Sequence, residues 1–376
     1  MGKALISFCT LFIFFQSNGQ QTTNQNSLSD WNAVTGTIEE KEHMGRKALY
    51  LSRGLAYLPT SNFENGTIEV DIAPGNPGMG GIAFHIDKSF NYDEVYIRYV
   101  KSGGPDALQY CPVFNGEFSW QIYSEYQANP KFPINEWTHL KIMIENGRAA
   151  VFISNIDTAV LYIDSLRVPN KSGSVGIWCL TGTYFSNFRY SSSAEKVFTD
   201  FSKFHRKTIN NPDAIKGWWI SEPFDFSDEA VNRFDKKTNL SHKWQKANTE
   251  PDGLLNICRY ATKKVWGKTR ENSHDVVWLK YEWEENSAGI KPFSFDFTNR
   301  CYIFLNEAKI FSGNNSFFLK GSLYRGDIDK PMRGNTVYLP VKKGKNTIAI
   351  AVSGITNGWA YMAQFADGTT RKTAAF

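Results

Sequence analysis

Polar and aromatic side chains alternate with apolar residues along strand-like segments between Gly80 and Tyr123. The exposed positions of a half-buried strand usually carry Thr, Ser or Lys, whereas these carry rings, amides and a guanidinium. Rings stack on the faces of sugars, and amides and guanidinium groups hydrogen-bond to hydroxyls. The segment therefore predicts a sheet face that binds a saccharide. The candidate ligand-binding residues here are His85, Tyr96, Arg98, Gln109, Tyr110, Asn115 and Trp120.

The alternative reading is that the rings belong to the core and that Arg98 pairs with Glu69 or Glu94. For single residues the two readings are close. For the group, burial of so many polar side chains without a partner is costly, which favours a ligand face.

A second candidate set has the residue types of acid–base catalysis. Glu69 and Asp71 stand two residues apart on one strand, so their carboxylates share a face about 6–7 Å apart. His85 is expected on the neighbouring strand as an acid or base, because its side chain titrates near neutrality. If the chain is an enzyme, these three residues are the predicted catalytic groups of a glycoside hydrolase or lyase. Their convergence in an open cleft is the condition for that hypothesis.

Other chemistries lack a sequence signature. The chain has no Gly-x-Ser-x-Gly elbow, no His-Glu-x-x-His and no phosphate-binding loop. No cofactor and no metal site is predicted. Calcium would have to use Asp87, Asp93 or Asp106, and no dense acidic loop marks such a site.

The amino terminus reads as a secretory signal peptide over residues 1–19. Lys3 precedes an apolar run of about a dozen residues, shorter than the roughly 18 that a membrane-spanning helix requires. We therefore expect a secreted or periplasmic protein without a membrane span. The balance of 42 basic and 37 acidic residues gives no footprint for nucleic acid.

Four cysteines follow the signal segment: Cys111, Cys179, Cys258 and Cys301. Two fall in each half of the chain, which permits one disulfide per half in an exported protein. Four cysteines allow three connectivities, so paired and free buried states both stay open.

Short strand-like segments separated by Gly, Pro and Asn turns fill two stretches of the chain. They predict an all-β fold of two tandem β-sandwich (jelly-roll) domains. The predicted organisation is a domain over 28–192, a polar linker over 193–212 and a second domain over 213–376. In the second domain Trp359 follows the Asn357-Gly358 turn, so it is the one candidate there for an exposed sugar-stacking ring.

The first stretch resembles the concanavalin A-like jelly rolls, which include lectins, laminin-G-like modules and glucanases. The resemblance covers about 160 residues and is carried by Asn135-Glu-Trp-Thr-His-Leu-Lys-Ile142, Gly176-Ile-Trp178 and Phe185-Ser-Asn-Phe188. These are framework positions on a scaffold that hosts binding proteins and enzymes alike. The glucanase-type strand carries three carboxylates, and this chain supplies only Glu69 and Asp71.

The second stretch resembles a galactose-binding-like β-sandwich. Cys301-Tyr-Ile-Phe-Leu-Asn306 and Val337-Tyr-Leu-Pro340, followed by Gly344-Lys-Asn346, carry the likeness. Together the residues and the resemblances predict a secreted carbohydrate-binding protein. The alternatives are a glycan-degrading enzyme and a module that binds other proteins in adhesion.

Overall fold

The structure is a computed structural model, and it is nearly all β. The residues that it describes are 22–24, 27–133, 135–154, 158–169, 171–192, 210–263, 275–316, 328–354 and 358–365. The predicted signal peptide and residues 193–209 of the predicted linker lie outside this set. Within it, no helix has the length and apolar character needed to cross a membrane.

The strands up to residue 191 join into one hydrogen-bonded network. They are β1 (Thr22–Asn24), β2 (Asn32–Ala33), β3 (Ile38–His43), β4 (Arg46–Leu51), β5 (Gly54–Phe63), β6 (Gly66–Ile86), β7 (Tyr92–Arg98), β8 (Leu108–Phe114), β9 (Glu117–Phe118), β10 (Gln127–Ala128), β11 (Thr138–Glu145), β12 (Arg148–Ile153), β13 (Leu161–Ile163) and β14 (Gly173–Ser191).

The two longest strands, β6 and β14, run antiparallel to each other through both layers of the first sandwich. The first half of β6 pairs with β11, and its second half pairs with β7. Val70 and Ile142 of one layer and Phe84 and Val95 of the other are fully buried in the same core. Strand alternation therefore sends these side chains inward and leaves Glu69 and Asp71 on an outer face.

A second group of strands forms two further sheets, one of seven strands and one of four. They are β15 (Gly217–Ser221), β16 (Phe224–Asp225), β17 (Trp244–Asn248), β18 (Leu255–Asn256), β19 (Asp275–Glu285), β20 (Gly289–Phe297), β21 (Asn299–Leu305), β22 (Ala308–Asn315), β23 (Thr336–Val341), β24 (Gly344–Gly354) and β25 (Ala360–Phe365).

These two sheets enclose a core of their own. Trp218, Val277 and Ile350 from the seven-stranded sheet share that core with Phe295 and Tyr361 from the four-stranded sheet. The helices of the described chain are short: α1 (Asp228–Val231) and α2 (Lys236–Ser241). The predicted all-β fold of two tandem β-sandwiches is confirmed, whereas the domain boundaries and the galactose-binding-like assignment stay predictions.

The two sandwiches are in intimate contact. Leu254, Met332 and Met362 of the second group of strands are buried in the core of the first sandwich. Phe114 and Val168 of the first are buried in the core of the second. The apolar interior is therefore continuous across the boundary.

Candidate functional site

A cluster of polar side chains lies on the face of β7 and β8 that points away from the first core. Val95 and Ile97 face the core, so the alternate residues Tyr96 and Arg98 face the other way. Gln109 stands opposite Tyr96 in the β7–β8 register and accepts a hydrogen bond from its hydroxyl at 3.1 Å. Tyr96, Arg98 and Gln109 therefore lie on one face, and their role as ligand-binding residues stays a prediction.

Arg98 is paired with Asp106, one of the three carboxylates that a calcium site would have had to use. Its Nη1 donates to Asp106 Oδ2, and the pair is almost fully buried. Gln121 Nε2 donates to the same Asp106 oxygen at 3.2 Å. The expectation that Arg98 pairs with Glu69 or Glu94 is wrong, because Asp106, in the loop between β7 and β8, lies closer to the guanidinium.

Glu94 is the most unusual group on this face. It is 0% exposed, and in the described chain neither carboxylate oxygen has a hydrogen-bond partner. Burial in this environment raises the pKa of Glu94 well above its usual range. Burial therefore favours the uncharged carboxyl over the carboxylate at this position.

Aromatic rings cover the cluster. The Arg98 guanidinium lies 5.6 Å from the centre of the Trp120 ring. Phe118 and Tyr96 contact Trp178 with ring centres 5.4 and 5.3 Å apart. Because Trp120 and Phe118 are the half-buried members, they form the side of the cluster nearest to solvent.

The cluster itself is closed to solvent in this structure. Glu94, Tyr96, Arg98, Gln109 and Gln121 all expose less than a tenth of their surface. A ligand can reach these groups only if the segment that carries Trp120 moves. We call Glu94, Tyr96, Arg98, Asp106, Gln109, Trp120 and Gln121 the polar cluster.

The other predicted ligand-binding residues lie elsewhere. Tyr110 is buried in the first core, where its hydroxyl donates to Asp93 at 2.5 Å. His85 contacts the same Asp93 at 3.2 Å, and its φ of 58° accompanies a break in the β6–β14 register. Asn115 lies in the turn after β8 and bonds through its backbone to Asn91.

The prediction of an exposed Trp359 is wrong. Its ring is fully buried in the second core, and Nε1 donates to Val352 O at 3.1 Å. Gly358, which precedes the tryptophan, contacts the first sandwich, since its N donates to Trp120 O at 3.0 Å; Asn357 lies outside the described residues.

The three predicted catalytic residues do not come together. Glu69 and Asp71 contact His139, which lies opposite Asp71 in the β6–β11 register. His139 Nδ1 is 2.7 Å from Asp71 Oδ1, and Nε2 is 3.3 Å from Glu69 Oε2. His85, in contrast, lies in the half of β6 that pairs with β7, and Glu64 O is its second partner.

The electrostatics of Glu69 and Asp71 are those of a stable ion cluster. Hydrogen bonds to Asp71 and Glu69 raise the pKa of His139 to about 9, so the imidazole is charged at neutral pH. The hydrogen bond from His139 lowers the pKa of Glu69. At Asp71, burial raises the pKa, but hydrogen bonds from His139 and Asn187 together with nearby positive charge lower it by more, so the pKa lies below its usual value. Arg189 pairs with Glu69, and Arg46 pairs with Asp71. Neither carboxylate is a proton donor at neutral pH.

The described residues contain no group of three or more His, Cys, Asp or Glu side chains arranged to hold a metal. Asp87 accepts hydrogen bonds from Ser89 N and Asn91 N, both at 2.8 Å. Asp93 and Asp106 have the partners given above. The four cysteines of the described chain are buried free thiols.

Sequence reasoning missed four functional candidates: Glu94, Asp106 and Gln121 in the polar cluster, and His139 on the outer face. Glu94 carried a signal, since it alternates with Tyr96 and Arg98 on one strand. Asp106 and Gln121 come from loops, and His139 comes from a strand distant in sequence. No periodicity places such residues beside a chosen partner.

The comparisons with known proteins concern structure. No family model and no curated protein matches the chain. The carbohydrate-binding module CBM66 of Bacillus subtilis is similar, with 20% identity and a TM-score of 0.36 over 43% of this chain and 96% of that one. A Bacillus subtilis protein of unknown function with a galectin-like fold has 13% identity, a TM-score of 0.36 and coverages of 48% and 98%. A Bacillus licheniformis β-glucanase has 12% identity and a TM-score of 0.34, over 48% of this chain and 100% of that one.

Proposed function

We propose that the protein binds a saccharide at the polar cluster. One observation carries the proposal: both oxygens of Glu94, Nε of Arg98 and Oδ1 of Asp106 are buried and have no hydrogen-bond partner among the described residues. Each unmade bond costs about 1–3 kcal/mol, so a protein seldom retains four of them side by side. A ligand with matching donors and acceptors removes that cost.

A sugar ring fits this set of groups. Its hydroxyls both donate and accept, which suits a carboxyl, a carboxylate, a guanidinium and the amides of Gln109 and Gln121. Its C–H faces suit the Trp120 ring. A purely anionic ligand fits less well, because the only cation of the cluster, Arg98, is already paired with Asp106.

The test is calorimetric titration of the purified protein with a panel of soluble polysaccharides: β-glucan, galactan, mannan, xylan, arabinan and fructan. Trp120→Ala should weaken binding of any positive member at least tenfold, because it removes the stacking surface. The matched control is Trp137→Ala, which removes another half-buried tryptophan beside Arg46 on the outer face. Equal losses in both variants, or no binding to any member, would overturn the proposal.

Glycan degradation is the second candidate, and Glu94 is the observation that favours it. A buried carboxyl whose pKa is raised by its surroundings is a suitable general acid. Each positive polysaccharide should therefore be checked for new reducing ends after incubation. Products that disappear in Glu94→Gln support an enzyme, whereas binding without products supports a binding module.

A further inference from the structure

The segment that covers the polar cluster is held by the second sandwich. This segment, residues 115–126, carries Trp120 and Gln121. Hydrogen bonds of its backbone and side chains join it to the second sandwich. Gly358 N donates to Trp120 O at 3.0 Å. Asn256 Nδ2 donates to Ser119 Oγ at 2.8 Å and to Tyr123 OH at 3.1 Å.

Charged contacts hold both ends of the same segment. At its start, Lys263 N donates to Glu117 Oε1 at 2.9 Å, and Lys263 Nζ lies 3.4 Å from Oε2. At its end, Lys330 Nζ lies 2.6 Å from Glu125 Oε1. Both lysines are almost completely buried, so solvent screens these pairs weakly.

The segment therefore has two faces with different partners. Inward, the Trp120 ring lies over Arg98 and the Gln121 amide reaches Asp106. Outward, Trp120 O and the carboxylates of Glu117 and Glu125 bond to the second sandwich. The start of the segment is also anchored to the first sandwich, through the pairing of β9 with β8 and the bond from Ser119 N to Pro112 O. A change at the second sandwich must therefore be felt at the polar cluster.

We infer that the second sandwich is the positioning element of the proposed saccharide site, because it holds residues 115–126 closed over the polar cluster. The inference rests on the proposed function for its biological meaning. Whether the second sandwich holds residues 115–126 in place can be measured without any saccharide. Failure of the one is thus distinguishable from failure of the other.

Gly358 offers a minimal perturbation. A methyl group at this position would lie 2.8 Å from Trp120 O and would also press on the Ile122 side chain. Gly358→Ala should therefore push the segment away from the second sandwich. Gly289→Ala is the matched control, since a methyl group there meets nothing within 4 Å.

The Cys111 thiol can be used to measure the opening of segment 115–126. The thiol is buried in the same apolar patch as Tyr96 and Trp178, beneath the segment. We would measure its labelling by 5,5′-dithiobis-(2-nitrobenzoate), with peptide mapping to separate it from Cys258, and amide exchange over 115–126. Gly358→Ala should accelerate both at least tenfold, whereas Gly289→Ala should match the unchanged protein.

Amides of residues 140–144, in the first core, serve as the reference for global unfolding. If their exchange rises as much as that of 115–126, or if Cys111 labelling does not change in Gly358→Ala, the inference is overturned. Glu125→Gln, which removes the charge that pairs with Lys330 but leaves Lys330 paired with Asp252, gives a second test in case Gly358→Ala does not fold. Because a ligand reaches the cluster only when this segment moves, Gly358→Ala should also raise the association rate of any polysaccharide that binds.

Discussion

The charged cluster around His139 predicts a distinct loss of stability at alkaline pH. The pKa of its imidazole is raised from 6.5 to about 9, first by the hydrogen bond to Asp71 and then by the bond to Glu69. A group whose folded pKa lies above its unfolded value stabilises the fold in its protonated form. The contribution is complete below pH 6.5 and is lost as the pH rises through 9.

The size of the effect follows from the shift and from the exposure. A difference of about 2.5 pKa units corresponds to an upper limit of about 3.4 kcal/mol. The His139 side chain is 22% exposed, and the arginines that pair with Glu69 and Asp71 are 42% exposed, so solvent screens the interaction. We therefore expect His139 to contribute about 1–2 kcal/mol to the free energy of unfolding at pH 6.

The assay is urea unfolding of the protein and of His139→Gln at half-unit steps from pH 6 to pH 9.5. The difference in unfolding free energy between them should shrink by about 1–2 kcal/mol over this range, and 0.5 M NaCl should reduce the change. The control is His43→Gln, at a histidine stacked on Tyr184 away from the carboxylates, which should keep the pH dependence of the unchanged protein. Parallel curves for the protein and His139→Gln would refute the reasoning.

Two further predictions concern stability. Lys330→Met leaves the carboxylates of Glu125 and Asp252 without their buried cation. It should lower the free energy of unfolding by about 3 kcal/mol in urea titrations. The control is Arg333→Met, at an exposed arginine, which should leave that free energy unchanged. A loss in Arg333→Met as large as in Lys330→Met would contradict this. An acid whose pKa is raised in the folded state lowers stability at pH values above its unfolded pKa. Glu94→Gln should therefore raise the free energy of unfolding at pH 7, and this gain should vanish near pH 4. A gain that does not depend on pH would show that Glu94 does not titrate as described.

The fold class was legible in the sequence because it depends on local patterns. Alternation of apolar residues with period two, broken by Gly and Asn turns, is enough to predict strands and sandwiches. Alternation also placed Tyr96 and Arg98 on one face, and the cross-strand register then added Gln109. Each of these results needs only the geometry of a strand and of its nearest neighbour.

The tertiary structure decided which groups meet across loops and layers. Asp106 and Gln121 reach Arg98 from loops, and a break in strand register turns His85 toward Asp93. The site of Trp359 depended on packing within its own sandwich, whose core buries the ring. Sequence periodicity determined the face on which a side chain lies. What covers that face, and hence the pKa of Glu94, follows from the packing of Phe118, Trp120 and Trp178 from other segments of the chain, which no local pattern encodes.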